Sequence, residues 1–121
     1  MEWITIRLNN FLSSQNMTDI YNNFLILRRV LINKGYVVGD IVDCSVMQNT
    51  RPDLIHSKFQ AVETNIQTIH NAIDWEDVYY KEYIWPKKPI NIAYEINRWV
   101  DWLNDTYYKA NQLVDNGSES E

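Results

Sequence analysis

Large apolar residues recur at a 4-3-4 spacing in three stretches of the chain. The first holds Ile20, Phe24, Leu27 and Leu31. The second holds Ile55, Phe59, Val62 and Ile66, continuing to Ile69 and Ile73. The third holds Ile92, Ile96, Trp99 and Leu103, then Tyr107, Ala110 and Val114. Strands would alternate every second residue, whereas this spacing lays one apolar stripe along a helix. Setting Ile20, Ile55 and Ile92 in register aligns the other stripe residues, with copies about three dozen residues apart, similar to a helical-hairpin repeat. Three such stripes bury one another, which predicts a mainly α protein built as a three-helix bundle.

The polar punctuation places the helices at about 18–34, 52–73 and 90–115. Thr18 can cap the first, and Asn33-Lys34-Gly35 gives it a basic last turn and a left-handed stop. The second opens with Thr50 as cap, Pro52 in the first turn and Asp53 at the capping-box position. Pro89 or Asn91 starts the third and Asn116-Gly117 ends it. Residues 1–115 therefore read as a single helical domain, and 116–121 as a flexible acidic tail without apolar anchors. Between the first two helices, YVVGDIVDC carries β-branched residues around Gly39-Asp40 and allows a short β-hairpin. The N-terminal WITIRL fits either an added strand or a segment lying across the bundle.

Composition narrows the function classes. With 121 residues, 45% of them hydrophobic, the chain suffices for one core, and three Gly and three Pro favour long regular elements. A single Cys44 excludes an internal disulfide and reads as a buried, small hydrophobe. The formal charge of -5 opposes generic phosphate-backbone binding. The densest basic pairs are Arg28-Arg29, read as a solvated helix face, and Lys87-Lys88. No run is long and apolar enough to span a bilayer, and the N-terminus lacks a signal-peptide pattern, so a cytoplasmic origin is expected.

Candidate chemistry is sparse. His56 and His70 share one expected helix but lie about 20 Å apart, too far for one metal. Asp74, Glu76, Asp77 and Glu82 gather among aromatics, a pattern compatible with glycoside chemistry but also with a helix end and a packed connection. No nucleophile triad or phosphate loop accompanies them, so no enzyme, cofactor or metal is expected. Tyr79, Tyr80, Tyr83 and Trp85 are candidate partner contacts, because Tyr and Trp combine apolar area with a polar tip. Asn97 and Arg98 fall beside the stripe that Trp99 marks. They read as a structural bracket, with Asn97 bonding connecting backbone and Arg98 pairing with Glu95, Asp101 or a carboxylate on the adjacent helix.

The third stretch, AYEINRWVDWL, resembles the YxDLNRIExN pattern of a helical module in structural and tail-region proteins of phages and prophages of Gram-positive bacteria, through Ile96, Asn97, Arg98 and Trp99. FQAVETNIQTI is similar to the related FNxIExNI form through Phe59, Val62, Glu63, Asn65 and Ile66. NMTDIYNNFLIL keeps Asn16, Thr18, Asp19 and Ile20 but lacks the core motif, and Val100 stands where the family usually has Glu. YIWPKKPINIAYEINRW resembles the Tyr- and Pro-containing lead before the family's last helix. The resemblance implies a non-enzymatic virion or tail-associated structural or adaptor protein, made in the host cytoplasm and contacting other virion proteins or itself; from the charge and the apolar runs, neither nucleic acid nor membrane is an expected partner. The alternative is a small phage protein that inhibits a host factor.

Overall fold

The computed structural model describes residues 2–4, 14–46, 52–75, 80, 84 and 93–113, with the backbone alone for 52–56 and 93–96. It is mainly helical and bundle-like: α1 spans Ser14–Asn33, α2 Pro52–Ile73 and α3 Ala93–Asn111. Each helix packs against the other two.

The first helix starts one turn before Thr18, so that residue lies inside it rather than capping it. Met17, 2% exposed, carries the apolar stripe back by that turn, and Gln15 donates to Asp19 at 2.9 Å along the exposed face. The end of α1 is the stop the sequence suggests. Gly35 has a φ of 103°, Tyr36 N–H bonds Leu31 C=O and Gly35 N–H bonds Ile32 C=O, which satisfies the last carbonyls. Lys34 N–H bonds the Val30 and Leu31 C=O groups of its own helix. Its Nζ donates to Leu113 C=O at 2.5 Å, beyond the end of α3. Asp74, with φ 50°, closes α2 in the same left-handed region. α3 ends at Asn111, short of residue 115, because Gln112 and Leu113 turn back onto Lys109 and Ala110 through tighter i to i−3 bonds. Its expected first turn and the 116–121 tail lie outside the described residues.

Burial sets the register. Ile20, Asn23, Phe24, Leu27 and Leu31 are buried in α1; Val62, Asn65, Ile66, Ile69 and Ile73 in α2; Trp99, Trp102, Leu103, Thr106 and Ala110 in α3. The spacing is the same in all three. Ile20 therefore corresponds to Val62 and Trp99, so α1 is shifted by one heptad from the register that matched it to Ile55 and Ile92. Heptad-like stripes look alike after a seven-residue slide, so periodicity alone did not choose between the two. The stripe of α3 also passes through Thr106, while Tyr107 is half-buried beside it.

The helices run parallel. Lys34 beyond α1 reaches Leu113 beyond α3, and Lys109 near the end of α3 lies over Trp75 just past α2. Toward the other end, Phe59 of α2 meets Trp99 of α3 edge-on, with centroids 5.4 Å apart. Parallel neighbours require each connection to travel back along the helices, which accounts for its length. Residues 36–46 make this return without forming strand, so the expected hairpin around Gly39-Asp40 is absent. The segment descends α2, with a Cβ built on Gly39 3.4 Å from Thr68, Val42 bonded to Asn65, and Asp43 C=O bonded to Lys58.

Among the described residues, two extended segments and Tyr80 lie in the three grooves between the helices. Residues 2–4 lie between α3 and α1, with Trp3 on Tyr107 and Ile4 on Asn23. Residues 36–46 lie between α1 and α2. Tyr80 lies between α2 and α3, touching Glu63 and Trp102. Among the described residues, α1 and α2 thus each hold an extended segment, or lead, that precedes them in the chain. A hairpin of two antiparallel helices is not the repeat.

Candidate functional site

The most concentrated chemistry in the described structure surrounds Glu63, whose side chain is fully buried on α2. Glu63 sits directly after Val62, on the flank of the stripe that faces α3. Trp99 donates its indole N–H to Glu63 Oε2 at 2.6 Å. The hydroxyl of Tyr80, on the third lead, donates to Oε1. Arg98 Nη2 stands 3.7 Å from Oε2, and its guanidinium lies 4.8 Å from the centre of the Tyr80 ring. Trp102 meets the same ring edge-on at 6.3 Å. A carboxylate taken wholly out of water needs such donors, since isolated it would carry a large desolvation cost. The cluster therefore ties α2, α3 and the third lead together around one negative charge.

Each of the two other leads is gripped at one residue by a neutral amide. Asn65, buried on α2, accepts from Val42 N–H at 2.8 Å and donates to Val42 C=O at 2.8 Å. Asn23, buried at the equivalent position of α1, does the same to Ile4, accepting at 3.0 Å and donating at 2.8 Å. Each amide offers an extended residue the donor and acceptor that a neighbouring strand would offer. At the third equivalent position stands Trp102, whose indole N–H has no hydrogen-bond partner; the Thr106 hydroxyl, one turn on, has none either.

Lead two gains further hold. Arg28 donates Nε to Gly39 C=O at 2.7 Å and Nη2 to Val38 C=O at 3.0 Å, so of the basic pair only Arg29 lies on an exposed face. Cys44 is fully buried, with Asn65 Nδ2 3.8 Å from its sulfur. Burial above all, aided by the Asp43 charge, pushes its thiol up to about 12. Such a thiol stays protonated at neutral pH and does not act as a nucleophile. Asp43 itself is held below the usual carboxylate range, chiefly by the Ser45 hydroxyl and then by Ser45 N–H.

The candidate residues from sequence separate under this geometry. Tyr80 is buried inside the molecule and serves the Glu63 cluster rather than a partner surface; Tyr79, Tyr83 and Trp85 lie outside the described residues. Of the bracket, Trp99 is in the core and Arg98 pairs across to the adjacent helix. Asn97 is exposed, and the backbone-holding role assigned to it belongs to Asn23 and Asn65. Asp74 is exposed; Glu76, Asp77 and Glu82 lie outside the described residues, as does the side chain of His56. Among the described residues, no group of three His, Cys, Asp or Glu is placed to hold a metal ion, and no helix is long and apolar enough to cross a membrane.

Asn23 and Thr106 went unread in the sequence, Arg28 was read only as part of a solvated helix face, and Glu63 and Asn65 drew notice only through the motif resemblance. A usable signal was there. Asn23 and Asn65 each fall three residues after one stripe residue and directly before the next, on the flank of the stripe. No protein-family model, curated protein or solved structure matches the chain.

Proposed function

We propose that the protein is a non-enzymatic structural or adaptor component of a phage virion, acting through protein–protein contacts with itself or with other virion proteins. The observation that carries this reading is how polar and apolar groups are divided. Glu63, Asn23 and Asn65 are buried and engaged in holding connections, while Val37, Ile84 and Tyr108 stand 92%, 74% and 66% exposed. Polar groups spent on internal geometry, with large apolar side chains left in solvent, suit a body that presents surface to other proteins. The likeness to the tail-protein module supports the virion context. Of the residues that carry it, Ile20, Phe59, Val62, Glu63, Asn65, Ile66 and Trp99 are buried and Arg98 pairs with Glu63, whereas Asn97 is exposed.

Mass spectrometry of purified particles tests the context. The chain is expected among the virion proteins at a fixed copy number. Its presence in infected cells but absence from particles would contradict the proposal and favour an inhibitor of a host factor.

A further inference from the structure

We draw no further inference here: the strongest candidate, the buried and unpartnered Trp102 indole N–H and Thr106 hydroxyl in the groove between α2 and α3, carries nothing, because nothing among the described residues shows what covers that groove beside Tyr80.

Discussion

The second and third grooves do the same job with opposite chemistry. Val42 of lead two is held by a neutral amide that copies the hydrogen bonding of a strand; Tyr80 is held by a buried carboxylate that also gathers an indole and a guanidinium. The amide device is local and complete, with both groups of Val42 paired. The charged device reaches across α2, α3 and the connection, and every donor is needed to offset one desolvated charge. At the position where the amide would stand in the third unit, Trp102 supplies bulk and an edge contact to Tyr80 but no bracket. A repeated framework can thus keep its shape while one unit exchanges backbone recognition for side-chain recognition.

Breaking the charged device should cost most. Glu63→Ala strands Arg98 beside the site and removes the acceptor for Tyr80 and Trp99, so urea unfolding should show a loss of about 3–5 kcal/mol. A loss under 1 kcal/mol would mean that the carboxylate is dispensable.

Breaking the neutral device should cost less. Asn65→Ala removes two hydrogen bonds and should lower stability by about 2–3 kcal/mol, and Asn23→Ala, which removes the matching pair to Ile4, by a similar amount. Limited proteolysis sharpens the contrast: cleavage of Asn65→Ala should begin within residues 36–46, with the helices still intact.

The third unit offers a change of opposite sign. Thr106→Val replaces a buried hydroxyl without a partner by a methyl of similar size, and thermal unfolding should show a gain of about 1 kcal/mol. Smallest of all, the exposed Asn97→Ala should change stability by less than about 0.5 kcal/mol. A loss of 1 kcal/mol there would restore Asn97 to the bracket.

The helical character, the core stripes and the glycine stop at Gly35 were legible because each rests on local chemistry: periodicity, capping and a positive φ. Two things were not. Direction is invisible to a stripe, which reads the same whether its neighbour runs parallel or antiparallel, so the long returns were taken as aromatic connections without a path. Buried polar residues were also passed over, because a pattern drawn from apolar positions assigns Asn23, Glu63, Asn65 and Thr106 to its edges. Their roles depend on what the folded chain brings opposite them. Only Arg98 was read toward its partner, through its expected pairing with a carboxylate on an adjacent helix.

The central claim is that the three helices pack parallel. In a Cys44→Ala background, spin labels placed pairwise at the exposed positions Asn33, Asn71 and Asn111 report the distances between the helix ends by pulsed electron resonance. Parallel packing brings all three ends together, each pair within about two interhelix spacings of 8–10 Å. An up-and-down arrangement would instead hold the Asn71 label about 30 Å from the other two, the length of a twenty-residue helix, and would contradict the account.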